Sequence, residues 1–202
     1  ATVDSRAFST TVTLEPGPAD RISVGITPGT IRNCGGTAVV TATLYDVCNN
    51  LVKDNTPVLF APSYGYVSVS PVLAYTHQGE VSATVTALNK TLESWPSSLE
   101  QIDVTSGSAM PGFANLVILP GSAGSITVSA TPESIPINGD VNFYDITVVS
   151  RIADCSDTPV EDGTTVRLDT DLGIFRDSGT RSVMKTTVSG LVTATLTSQS
   201  VA

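Results

Sequence analysis

Four stretches from the first half of this chain return, in the same order, in the second half. Pro16-Gly17-Pro18-Ala19-Asp20-Arg21-Ile22-Ser23-Val24, closing at Thr27-Pro28, matches Pro120-Gly121-Ser122-Ala123-Gly124-Ser125-Ile126-Thr127-Val128, closing at Thr131-Pro132. Asp46-Val47-Cys48-Asn49-Asn50-Leu51-Val52, followed by Pro57-Val58-Leu59-Phe60, matches Ala153-Asp154-Cys155-Ser156-Asp157-Thr158-Pro159-Val160, followed by Thr165-Val166-Arg167-Leu168. Gly65 matches Gly173, and Gly79-Glu80-Val81-Ser82-Ala83-Thr84-Val85-Thr86 matches Gly190-Leu191-Val192-Thr193-Ala194-Thr195-Leu196-Thr197. A 202-residue chain that repeats itself in this way is two copies of one unit of about a hundred residues, each able to bury its own core.

The units are built from strands. Runs such as Arg21 to Thr27, Thr37 to Tyr45, Pro57 to Ala61, Glu80 to Ala87 and Asn115 to Leu119 alternate apolar and polar residues. Gly, Pro, Asn and Asp separate them. The second half offers Ser125 to Thr131, Val141 to Val149, Thr164 to Leu168 and Leu191 to Thr197. Charged residues make up 14% and aromatics 5%, and β-branched residues abound, which favours strands over helices. Short alternating strands at regular spacing predict an all-β fold of tandem immunoglobulin-like antiparallel sandwiches.

A net charge of −9 repels phosphate backbones and anionic lipid, so neither nucleic acid nor a membrane surface is expected as partner. No apolar run reaches the eighteen or so residues of a transmembrane helix. The start carries no signal-peptide pattern, so Ala1 is expected to be a mature or excised terminus. No nucleophile elbow, phosphate loop or HExxH is present. The single histidine, His77, lies in Thr76-His77-Gln78-Gly79, a turn that opens a strand. It is expected to be solvated rather than catalytic, and the chain is expected not to be an enzyme.

The repeated residues resemble the bacterial Ig-like domains of the invasin and intimin type. That family's pattern has a first strand ending in Thr-Pro, then D-x-x-G-N-x-V, V-x-F, a Gly, and T-x-x-G-x-A-x-V. Here the pieces are Thr27-Pro28, Asp46 with Asn49-Asn50 and Val52, Val58-Leu59-Phe60, Gly65, and Thr76 with Gly79 and Ala83-Thr84-Val85. The usual Gly-Asn pair reads Asn49-Asn50, and Ser156-Asp157 in the second copy. The resemblance implies the fold over nearly the whole chain. It says less about function, because such modules serve adhesins, stalks, S-layers and enzyme appendages alike.

The phase of the repeat is unusual. Thr2-Val3-Asp4-Ser5 aligns with Asp103-Val104-Thr105-Ser106, and Val12-Thr13-Leu14 with Leu116-Val117-Ile118. The expected organisation is therefore an F–G strand pair in residues 1–18, a complete module in 19–120, and a module lacking its last strands in 121–202. One reading is a window from a longer array. The other is strand donation, in which Thr2, Val3, Phe8, Val12 and Leu14 of one copy complete the open module of the next. Closure within one chain looks difficult, because the intervening module is ~30 Å long and the linker Pro16-Gly17-Pro18-Ala19 is short. An unpaired sheet edge drives β-augmentation, and a head-to-tail contact that does not close yields a filament.

Of the three cysteines, Cys34 precedes the second strand and Cys48 follows it. About ten extended residues hold them at opposite poles, beyond the ~7 Å that a disulfide allows. Cys34 at the distal pole of the first module faces Cys155 at the proximal pole of the second, which predicts a Cys34–Cys155 bridge across the joint. Cys48 is left at the proximal pole, where the second copy's counterpart of Cys34 is Asn138; it is expected to be buried and free.

The remaining features are weaker. Asp154 to Asp157 and Asp169-Thr170-Asp171 are expected to be solvated turn carboxylates, with Ca²⁺ at a module junction as a weak alternative and no other cofactor. Asn89-Lys90-Thr91 is an N-glycosylation sequon at a strand end. Trp95 lies in a stretch, Thr91 to Gln101, that reads as a loop, with the indole expected to plug the core beneath it or else to contact another chain. The function expected is a non-enzymatic extracellular subunit of a head-to-tail homopolymer on the cell surface. The alternative is an excised stalk region of an adhesin.

Overall fold

The computed structural model describes residues 11–135 and 144–198, and among these the regular elements are strands. The first sandwich contains β1 (Arg21–Thr27), β2 (Thr30–Arg32), β3 (Thr37–Tyr45), β4 (Pro57–Pro62), β5 (Val67–Ser70), β6 (Leu73–Tyr75), β7 (Glu80–Ala87), β8 (Ser98–Thr105) and β9 (Gly112–Leu119). One sheet runs β1-β3-β7-β5 and the other β2-β9-β8-β4-β6. The fold is all-β and Ig-like.

Period-two patterning builds the core. Ala38, Val40, Ala42 and Leu44 of β3 and Val81, Ala83, Val85 and Ala87 of β7 all face inward, meeting Val58, Phe60, Ile102, Val104, Leu116 and Ile118 of the opposite sheet. The first strand changes sheet part-way. β1 pairs antiparallel with β3 as far as Thr27, and β2 then pairs in parallel with β9. Pro28, which has no N–H to give the ladder, sits at the crossing.

The second half contains β10 (Ser125–Thr131), β11 (Asp145–Ala153), β12 (Thr165–Asp169), β13 (Ile174–Phe175), β14 (Ser182–Thr186) and β15 (Leu191–Thr197). Its sheet β10-β11-β15-β13 has the layout of β1-β3-β7-β5. Its other sheet holds only the pair β12-β14 among the described residues. A small cluster centred on Ile152, Val160, Phe175 and Val192 lies between them.

Three expectations require correction. β8 starts at Ser98, inside the stretch expected to be a loop. Its inward residues are Ser98, Glu100, Ile102 and Val104, while Leu99 points out, so the apolar pattern at its start is inverted. Glu100 is fully buried because its carboxylate receives the backbone N–H groups of Tyr64 and Tyr66, each at 2.7 Å. Trp95 does not plug the core: it is 38% exposed, and Leu92 is the apolar side chain of that stretch that turns inward. Cys48 is exposed rather than buried, in a turn whose backbone N–H groups at Cys48 and Asn50 donate to Asp46.

Candidate assembly interface

Two surfaces stand out, the joint between the halves and the unfinished face of the second half. The joint is built from the turn after β2 and the turn after β11. Cys34 and Cys155 form a disulfide with Cα atoms 6.1 Å apart. Next to it, buried Asn33 directs its amide Nδ2 at Lys90 O (2.9 Å), Ser156 Oγ (2.7 Å) and Asp154 Oδ2 (3.3 Å). Thr91 Oγ1 donates to Ser156 O at 2.7 Å, and Leu92 N donates to Thr158 Oγ1 at 3.1 Å. Arg32 pairs with Glu161 at 2.8 Å on the exposed rim, where such a pair contributes little.

Asp154 organises this contact. Its Oδ1 accepts from Ser156 N and Thr158 N, and its Oδ2 accepts from Gly121 N at 2.8 Å. Burial pushes its carboxyl up, but the hydrogen bonds from Gly121, Ser156 and Thr158 outweigh this and hold it below the ordinary aspartate value. It is therefore a buried linker clasp, not the solvated turn carboxylate expected. Gly121 is tied in sterically as well: a Cβ there would lie 2.8 Å from Cys34 Sγ.

The same clasp exists at the proximal pole of the first sandwich. Asp46 Oδ1 accepts from Cys48 N (3.0 Å) and Asn50 N (2.8 Å), and its Oδ2 accepts from Gly17 N (3.0 Å). The bond from Gly17 leads the set that lowers the Asp46 carboxyl. Asn49 and Asp157 take matching positive φ angles of 65° and 64°. These bonds set Asp46 against Asp154, so Val47 occupies the place of Cys155 and Cys48 the place of Ser156. Cys48 and Cys155 are not equivalent, although the sequence places both just after a strand.

The second surface is the face that the first sandwich closes with β8 and β9. There, β4 pairs with β6 on one side and β8 on the other. Its counterpart β12 pairs with β14 alone among the described residues. Ile126 and Val128 of β10 are 59% and 58% exposed, whereas Ile22 at the matching place in β1 is 8% exposed.

Of the residues expected to donate strands, Val12 and Leu14 are exposed and outside any strand; Thr2, Val3 and Phe8 lie outside the described residues, as does Asn138. Asn89 is exposed two residues after β7, and its sequon threonine, Thr91, is engaged in the joint. His77 Nδ1 lies 3.0 Å from Asp54 Oδ2 in an exposed turn. Among the described residues, no three His, Cys, Asp or Glu side chains come together as metal ligands would. Nor, among the described residues, is any helix long and apolar enough to cross a membrane. Glu100, Asn33 and the two clasp aspartates escaped the sequence reading. The signal available for the clasps was an aspartate directly after β3 and β11, with a Pro-Gly linker upstream in both halves.

No family model matches the chain, and no curated protein matches it in sequence. Solved structures do match in fold. The Escherichia coli adhesin FdeC is similar at 15% identity and a TM-score of 0.56, covering 90% of this chain and 56% of that one. The Yersinia pseudotuberculosis adhesin InvE matches at 20% identity and TM-score 0.39, over 89% of this chain and 51% of that one. The D0-D1 domain of intimin matches at 19% identity and TM-score 0.37, over 87% and 84%. The chain thus spans little more than half the length of the FdeC and InvE structures. The likeness to FdeC shows an Ig-like sandwich fold of the kind found in bacterial adhesin domains, at low identity.

Proposed function

We propose that this chain is a non-enzymatic structural protein of the cell surface, a filament subunit that assembles head to tail by strand donation. Residues 1–18 would act as the F–G pair of a neighbour, 19–120 as a complete module and 121–202 as the acceptor module. The observation that carries this reading is in the second half: among the described residues β12 pairs on one side alone, beside exposed Ile126 and Val128. Val12 and Leu14, 76% and 90% exposed, align with the buried core residues Leu116 and Ile118 of β9. Covering an exposed valine, leucine or isoleucine side chain contributes about 1.5–3 kcal/mol, and each strand added to the edge also completes a hydrogen-bonded ladder.

The fold likeness to FdeC supports a second reading, a stretch of tandem modules from an adhesin stalk. Light scattering after size exclusion separates the two. Strand donation predicts large species that collapse to single chains when residues 2–14 are deleted. A wild-type chain that runs only as single chains would sink donation and leave the stalk.

A further inference from the structure

The clasp at Asp46 has the bonds of the clasp at Asp154, yet among the described residues only the second has a sandwich seated on it. Gly121 N meets Asp154 Oδ2 at 2.8 Å where β9 passes into the linker, and Gly17 N meets Asp46 Oδ2 at 3.0 Å where residues 11–16 pass into theirs. The chain upstream of Gly17 is thus tied to the first sandwich at the same atom as the chain upstream of Gly121 is tied to the second half. Around it, Val47 is 82% exposed where Cys155 is bonded to Cys34, and exposed Cys48 stands where Ser156 receives Asn33 and Thr91.

We propose that this proximal pole, the turn Asp46–Asn50 with the clasped Gly17, is a preformed docking surface for the second half of another copy. That second half would be seated on the clasp at Asp46 as the first sandwich of this chain is seated on the clasp at Asp154. The inference rests on the strand-donation reading and adds the joint: donor residues 1–18 complete the acceptor, and the acceptor's distal end then abuts Val47 and Cys48. Charge selects which half docks. Lys53 occupies the place of Glu161, so a first sandwich would bring its Arg32 against a like charge there. The second half has Pro136 in the place of Arg32 by sequence.

Cysteine pairing tests the geometry. In a Cys48→Ser background, Val47→Cys and Asn138→Cys together put cysteines at the counterparts of Cys155 and Cys34, the latter by sequence, so that the proposed joint would pair them between chains. Under oxidising conditions the double variant is expected to lose its single-chain band to a ladder of multimers on a non-reducing gel, since pairing requires Cα atoms within about 7 Å. Each single variant should stop at dimers, and reductant should dissolve the ladder. Wild-type Cys48 should also react with a maleimide severalfold more slowly in the polymer than after deletion of residues 2–14, while a Ser68→Cys thiol on the flank stays reactive in both. Polymers that form without a ladder and with Cys48 fully reactive would overturn this joint and leave strand donation standing. A wild-type chain that forms no polymer would overturn both.

Discussion

β1 and β10 are nearly the same strand in sequence, Arg21-Ile22-Ser23-Val24 against Ser125-Ile126-Thr127-Val128, and they pair with β3 and β11 in the same antiparallel register. Their fates differ. Ile22 is buried and Val24 partly so, while Ile126 and Val128 both stand in solvent. The difference lies in what faces them, not in the strands. β9 passes so close to β1 that a Cβ on Gly112 would sit 2.6 Å from Val24 Cγ2, and no described strand takes that place over β10. Burial of a first strand in this fold is thus conferred by the last two, which makes the second half a sensitive reporter of whatever completes it.

The largest test of that contrast compares the matching core residues Phe60 and Leu168. Phe60→Ala should cost about 3–5 kcal/mol in denaturant unfolding, because a closed core cannot collapse around the void. Leu168→Ala should cost less than about 2 kcal/mol in the dispersed chain, where β12 pairs with β14 alone among the described residues, and more in the polymer that strand donation would form. Equal costs in dispersed chain and polymer would mean that nothing covers the second half.

A smaller effect is expected at the clasp. Asp154→Ala strands the N–H groups of Gly121, Ser156 and Thr158 and should lower stability by about 1–3 kcal/mol. The folded Asp154 carboxyl is held low, so its contribution is fully present above the ordinary aspartate value of about 3.9 and is lost as pH falls through the lower folded value. Unfolding curves of wild type and Asp154→Ala should therefore converge at acid pH; a constant gap would show that the carboxylate charge plays no part. The smallest effect belongs to Ile126→Thr, within about 0.5 kcal/mol in the dispersed chain, as for an exposed site. Weakened assembly by the same variant, read by light scattering, would place Ile126 under the donated strands.

Much of this was legible along the chain. Alternation in β3 and β7 announces two-faced strands, and Pro, Gly and Asn mark the turns between them. Strand length set Cys34 and Cys48 at opposite poles, the turn layout of an Ig-like sandwich set Cys34 facing Cys155, and in the structure Cys34 and Cys155 are bonded. Other features were hidden for definite reasons. Glu100 breaks the alternation of β8 because its acceptors serve N–H groups of a loop more than thirty residues earlier. Trp95 suggested a plug by its size, but Leu92 lies nearer the joint and takes the inward place. Asp154 resembled any loop carboxylate until Gly121 and Asn33 came to it from distant parts of the sequence.

The sequence by itself determined the strands, their inward faces and the two-fold recurrence of the pattern, because side-chain alternation and turn chemistry act over a few residues. Only the tertiary structure decided which carboxylates are clasps, which cysteines are equivalent and which apolar strand is left uncovered. Those properties depend on groups brought together across long separations, 123 positions where Asn33 meets Ser156, and no local pattern encodes such a meeting.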